Sequence, residues 1–230
     1  MASYNSFEEL KVLAQTELFT ALVGDVLDKM GHFHQFLPPE IKPLDPKMIV
    51  FGKAMPVLEA DVFAEQLEYS SNSYINKPFG IMFEALDDLK ENEVYICTGS
   101  SFHYALWGGL MSIRAMKLKA AGAVVHGYSR DTNEVLRLGF PTFSIGTYAQ
   151  DQGPRGKVID YRVPIEIERV RIHPGDIIYG DRDGVVVVPQ QIQDEVFEKA
   201  LEKARGEKLV LKALQNGMST VEAFAKFGIM

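Results

Sequence analysis

Ala105-Leu106-Trp107-Gly108-Gly109-Leu110-Met111-Ser112 and, further on, Gly127-Tyr128-Ser129-Arg130-Asp131 form the segment of this chain that stands out. The first half opens an expected helix over residues 104–121, closed by Gly122. Free N–H groups at a helix start, together with the positive end of the helix dipole, suit a carboxylate or a phosphate. The second half ends a short apolar strand over 123–127 and leads into an expected helix over 132–138. Ligands collect at strand ends in α/β folds. An arginine there offers a planar fork for a carboxylate. A neighbouring aspartate can hold a hard cation such as Mg²⁺ whose other positions are filled by water. A plainer reading stands beside this one. Asp131-x-x-Glu134 is also a helix-capping pattern, Arg130 can be a surface ion-pair residue, and Gly108-Gly109 can be a tight helix–strand contact.

Working outward, the flanks alternate between strand and helix. Residues 93–98 read as a strand, 79–90 as a helix and 141–146 as a strand after Pro141. Upstream, Ser6-x-x-Glu9 marks a helix start. Leu22, Val23, Val26, Leu27 and Met30 share one face of a helix over 20–30 that Gly31 can close. A proline-rich connector (Pro38, Pro39, Pro43, Pro46) precedes a strand over 48–60. Downstream, short β runs occupy 157–188, and the chain is helical after Pro189, with Ser219-x-x-Glu222 capping the last helix. Short strands alternating with helices point to an α/β layer with parallel pairing.

The 230 residues include 24 Lys+Arg and 31 Asp+Glu, for a net charge of −7. An acidic chain lacks the basic footprint of a duplex binder, so no nucleic-acid partner is expected. Cys97 is the sole cysteine, which excludes a disulfide framework and a cysteine zinc site. It reads as a core thiol in a reducing cytoplasm. No basic-then-apolar leader opens the chain and no long apolar run crosses it, so a cytoplasmic protein without a membrane partner is expected. Dinucleotide, Walker, nucleophile-elbow and zincin motifs are absent. His32-Phe33-His34 reads as a surface turn. Asp181-x-Asp183-Gly184 reads as a polar β-turn rather than a calcium loop, because the glycine and the final acid are misplaced.

Four pieces in order resemble the RraA-like family, which includes the 4-hydroxy-4-methyl-2-oxoglutarate/4-carboxy-4-hydroxy-2-oxoadipate aldolases and the regulators of ribonuclease E activity. They are Thr20-x4-Asp25-x-Leu27-Asp28-x2-Gly31, Ala105-Leu106-Trp107-Gly108, Gly122-Ala123-Val124-Val125-x-Gly127-x2-Arg130-Asp131 with Gly139-Phe140-Pro141, and Pro174-Gly175-Asp176-x3-Gly180-Asp181-x-Asp183-Gly184-Val185. The resemblance implies an α/β fold, an αββα sandwich of the swivelling β/β/α type with a C-terminal helical arm. It implies one domain over 1–230, assembled as a trimer or a dimer of trimers with sites between protomers.

By the same resemblance, Arg130 binds the carboxylate and enolate oxygen of a small 2-oxo acid, and Asp131 binds Mg²⁺ or Mn²⁺. Backbone around Gly108, Gly109, Leu110 and Met111 holds the carboxylate, and Glu207 corresponds to an acid supplied by a neighbouring protomer. One position departs from the family: the acid that its aldolases carry 21 residues before the arginine is Gly109 here. The implied activity is that of a class II, divalent-metal-dependent carbon–carbon lyase working through a pyruvate-type enolate, by aldol cleavage or oxaloacetate decarboxylation. The alternatives are a non-catalytic protein-binding regulator of a ribonuclease, and a sugar-acid dehydratase or isomerase using the same site.

Overall fold

The computed structural model describes residues 4–62, 71, 73 and 76–228. Within the span expected as one domain, the chain divides into two compact units: Met1–Phe33 with Gln191–Met230, and His34–Gln190. The first unit is helical. It opens with α1 (Phe7–Thr16), where the Ser6 hydroxyl accepts the Glu9 N–H at 3.2 Å as the sequence pattern predicts. In α2 (Thr20–Lys29) the expected apolar face of Leu22, Val23, Val26 and Leu27 is buried. The helix stops in a Schellman turn: Gly31 N–H donates to the Asp28 carbonyl and His32 N–H to that of Leu27.

The second unit is the mixed α/β body. In chain order it holds β1 (Lys42–Pro43), β2 (Val50–Asp61), α3 (Met82–Asp87), β3 (Glu93–Thr98), β4 (Ala105–Trp107), α4 (Gly109–Lys117), β5 (Gly122–Val125) and β6 (Tyr128–Ser129). There follow α5 (Thr132–Leu138), β7 (Thr142–Ser144), β8 (Gly146–Thr147), β9 (Gly156–Tyr161), β10 (Ile165–Ile167), β11 (Val170–Ile172), β12 (Ile177–Asp181) and β13 (Gly184–Val188). The main sheet runs β1-β7-β5-β3-β2-β12-β13, with β9 also pairing β2. Its middle, from β2 through β3 and β5 to β7, is parallel; β1, β9, β12 and β13 join antiparallel. Residues 35–43 nearly close it. Leu37 N–H donates to Val185 O and Gln35 O accepts from Val187 N–H, while β1 pairs β7 on the other edge. The helical unit resumes with α6 (Gln193–Gln215) and α7 (Thr220–Phe227), and the Ser219–Glu222 capping box is present in both directions.

Strand alternation sorts the side chains into two apolar layers. Tyr95, Cys97, Met55, Val57, Ala123 and Val125 face Met82, Leu86, Trp107 and Ala115. Val94, Ile96, Val50, Ala54 and Val124 face the opposite layer, with the β10–β11 hairpin and Val185 and Val187. The first layer carries the candidate site.

One expected element is overturned. Residues 104–121 are not one helix: β4 ends at Trp107 and α4 starts at Gly109, while Gly122 begins β5 rather than ending a helix. The reason is long-range pairing. Ala105 and Trp107 lie in register with Tyr128 and Ser129 of β6, in a small parallel sheet β4-β6-β8 that local periodicity does not reveal. The expected helix over 79–90 contracts to α3, and the strand over 141–146 splits into β7 and β8. The Asp181–Gly184 segment is the tight turn of the β12–β13 hairpin, with Asp183 N–H donating to Asp181 Oδ1 at 2.9 Å.

Candidate functional site

The parallel pairing of β4 with β6 brings the two quoted segments together. Both strands end at one edge, and the chain leaves each into a helix. At the first exit the Trp107 indole N–H donates to Ser112 Oγ at 2.8 Å, and that hydroxyl donates to the Gly108 carbonyl at 3.0 Å. Trp107 is itself fixed by stacking on Phe140 and by a tilted contact with Tyr95. The start of α4 is therefore clamped by a fully buried side-chain relay. The N–H groups of Leu110 and Met111 lie in the first turn of α4, where an α-helix offers no internal acceptor.

At the second exit Arg130 N–H donates to the Trp107 carbonyl at 2.8 Å, which pins the arginine backbone beside the glycine turn. Its guanidinium reaches Asp151, Nη1 to Oδ1 at 2.8 Å, with both side chains half-exposed. Asp131 adopts φ +54°, ψ +36° and makes no side-chain cap for α5. Its carboxylate is turned across to α4 instead, where Oδ2 accepts the Gly109 N–H at 3.1 Å. The left-handed backbone is tolerable for Asp, and it aims the side chain at the neighbouring helix. The capping-box reading of Asp131-x-x-Glu134 is thus corrected: the main chain caps α5, through Asp131 O, and the side chain does not. Gly108 makes the approach possible, since a Cβ there would stand 2.8 Å from Asp131 Oδ2.

These groups border a cavity of about 260 Å³. Gly108, Leu110, Met111, Arg130 and Asp131 all line it, and Gly109 joins through its N–H to Asp131. Glu207 stands on α6 in the helical unit, where its carboxylate pairs with Lys203 at 3.3 Å. Two further polar side chains line the cavity that sequence reasoning missed, Asp151 and Gln152. They come from the connection after β8, and no local motif marks them. Where an acid at position 109 would need room, the Glu134 side chain already lies, its Cγ 2.9 Å from the place of a Cβ.

Next to the cavity lies a buried acid, also missed. Glu59 of β2 is 2% exposed. Its Oε2 accepts the Gln152 amide at 2.6 Å, and its Oε1 has no partner. Burial pushes its carboxyl up to about 8 against the hydrogen bonds of Cys97 and Gln152, with Asp61 adding to the rise. Burial, then Glu59, push the Cys97 thiol well above its usual range, which fits the expected inert core thiol.

The helical unit has its own cavity of about 320 Å³, lined by Val26, Met30, Lys29, Lys199, Glu202 and Lys203. Lys199 and Lys203 are paired with carboxylates there, and no arginine–aspartate constellation accompanies them. Among the described residues, no group of three His, Cys, Asp or Glu side chains gathers as a closed metal site, and no helix is long and apolar enough to cross a membrane.

Comparison with known proteins places the chain in a family. Protein DlpA of Legionella pneumophila is 28% identical over 88% of this chain, which spans only 31% of that longer protein. A protein of Halalkalibacterium halodurans named "Putative 4-hydroxy-4-methyl-2-oxoglutarate aldolase" is 30% identical over 89% of each chain. The crystal structure of Streptomyces coelicolor RraAS2, titled an unusual member of the RNase ES inhibitor RraA protein family, superposes with a TM-score of 0.72 at 21% identity, over 86% of this chain and 94% of that one, a likeness of fold. Residues 20–187, from α2 through the β12–β13 hairpin and including the whole cavity, match the family model described as Aldolase/RraA. This chain belongs to the RraA-like family.

Proposed function

We propose that the protein is a divalent-metal-dependent carbon–carbon lyase that cleaves or decarboxylates a 2-oxo acid through a pyruvate-type enolate. The convergence of the Arg130 guanidinium, the Asp131 carboxylate and the first turn of α4 on one cavity supports it most directly. Asp151 occupies one guanidinium nitrogen and so orients the fork, leaving other N–H donors for the substrate carboxylate. The N–H groups of Leu110 and Met111 supply fixed donors for negative charge without reorganisation. As charge moves onto the C2 oxygen, Arg130 stabilises it. One such donor is typically worth about 3 kcal/mol of barrier.

The donor chemistry fits a hydrated magnesium or manganese ion and not a closed zinc site. Mg²⁺ is commonly held by one or two carboxylates, with waters and substrate oxygens completing its shell. Asp131 would hold the ion, which when bound polarises the C2 carbonyl. With Gly109 in place of an acid, weak affinity is expected, in the millimolar range of added metal. By family resemblance the proposal extends to a trimer or a dimer of trimers in which Glu207 of a neighbouring copy joins the site. Light scattering at the 25.7 kDa monomer mass would remove that extension.

Enolate formation can be tested without knowing the full substrate. Deuterium exchange at the pyruvate methyl group, followed by proton NMR during an Mg²⁺ or Mn²⁺ titration, should be fast for the wild type and lost in Asp131→Asn and Arg130→Lys. Equal exchange in all three proteins would overturn the mechanism. No exchange from any of them, together with inhibition of a ribonuclease, would replace it with the regulator reading.

A further inference from the structure

Building on the enolate-lyase reading, we propose that the substrate is a 4-hydroxy-2-oxo acid with a single carboxylate and an apolar group at C4. The cavity has two unlike sides. Arg130 is the only basic side chain among the described residues that line it, and it faces two acids, Asp131 and Asp151. The reacting carboxylate and C2 oxygen occupy that cation. A second carboxylate further along the substrate would need another donor, and the one side chain that the proposed assembly adds, Glu207 of a neighbouring copy, is an acid that repels it. Gln152 could offer its amide, but that nitrogen is turned inward to Glu59 at 2.6 Å. The nearby cations are committed elsewhere: Lys157 Nζ donates to the Pro78 and Gly153 carbonyls, and Arg155 Nη1 to the Asp151 carbonyl.

What the other side offers is apolar. Phe79, Met82, Phe83 and Leu86 line it, with the two phenyl rings edge to face at 5.4 Å between centroids. A carboxylate pressed there loses water without gaining a partner, whereas a phenyl or branched alkyl group gains from burial. Cleavage of such an acid breaks the C3–C4 bond, and the electron pair stays on C3 as the pyruvate enolate. The C4 hydroxyl gives up its proton and becomes the carbonyl of the released apolar aldehyde or ketone. A proton taken up at C3 completes pyruvate.

Two ligands without a C4 hydroxyl, which cannot be cleaved, separate the outcomes. In calorimetry with Mg²⁺ present, 2-oxo-4-phenylbutanoate should bind at least about 10-fold more tightly than 2-oxoglutarate. Pyruvate release from 4-hydroxy-2-oxo-4-phenylbutanoate should likewise exceed that from 4-hydroxy-4-methyl-2-oxoglutarate. Phe83 is 54% exposed, so Phe83→Arg is expected to fold, and it should narrow or reverse both preferences. Equal or tighter binding of 2-oxoglutarate, binding of neither ligand, or an unchanged ratio in Phe83→Arg overturns the apolar assignment. The two readings fail separately. Methyl exchange with a preference for the dicarboxylate leaves the lyase and removes the substrate class. A phenyl preference without exchange or cleavage removes the lyase and leaves the ligand class.

Discussion

Asp131 and Glu59 are two acids in two unlike regions of the same α/β body. Asp131 sits where two strands end. Its backbone is left-handed, its carboxylate meets a helix N terminus, and it lines an open cavity. Glu59 sits inside β2, paired with β9 on one flank and just past the last β3 pair on the other, with one oxygen held by Gln152 and the other unpartnered. At the strand ends the fold supplies N–H donors and a guanidinium. In the strand interior it withholds them, and the carboxyl keeps its proton at neutral pH. The contrast sets the proposed chemistry at the strand ends, and it makes Glu59 a support for the cavity wall through Gln152.

The sharpest test of that contrast is Glu59→Gln, read as stability against pH. Burial holds the folded carboxyl up at about 8, while in the unfolded chain it returns to the ordinary value of 4.5. Between those values the unfolded chain releases a proton that the folded chain retains. Stability from this group is therefore complete below pH 4.5 and declines until pH passes about 8. The loss is on the order of 4 kcal/mol across that window. Urea unfolding at pH 4.5 and pH 8.5 should show the wild type losing this much relative to Glu59→Gln. Parallel pH curves would erase the distinction between the two acids.

Next in size is Arg130→Lys, which keeps the charge and loses the fork. Turnover should fall on the order of 100-fold, about 2.7 kcal/mol, and unchanged rates would make Arg130 a surface ion-pair residue. Gly108→Ala places a methyl group 2.8 Å from Asp131 Oδ2. The expected cost is ~1–2 kcal/mol of stability, together with weaker metal response, measured by thermal unfolding and the exchange assay. Smallest is the stability change of Asp131→Asn. The Gly109 N–H keeps an acceptor, α5 loses no side-chain cap, and only the charge at the start of α4 disappears, worth about 0.5 kcal/mol. A much larger drop would make Asp131 structural.

Much of this was legible in the sequence. β3 and α5 have the boundaries that alternation and turn residues predict, and the Ser219–Glu222 box is a local motif with a local cause. The Arg130-Asp131 pair was readable because it lies between an expected strand and an expected helix. The strand at Ala105–Trp107 was not, because three apolar residues before a glycine suit a helix until β6 pairs with them. Asp151 and Gln152 reach the cavity only through tertiary folding. Glu59 left one signal, an acid between Leu58 and Ala60 in a mostly apolar strand, and its burial depends on β9 and the end of β3 arriving at its sides.

β2 also bears on how the protein is made. Its first residues pair with β12, its middle with β3 and its end with β9. Of these, β3 follows soon in the chain, while β9 and β12 come late. During synthesis the Val50–Leu58 run therefore leaves the ribosome long before its antiparallel flank exists, as an apolar edge open to other chains. Such distant pairings fold slowly and expose sticky intermediates. The growing chain is expected to need chaperone cover until β12 has emerged, and truncations that stop short of β12 should accumulate in the insoluble fraction.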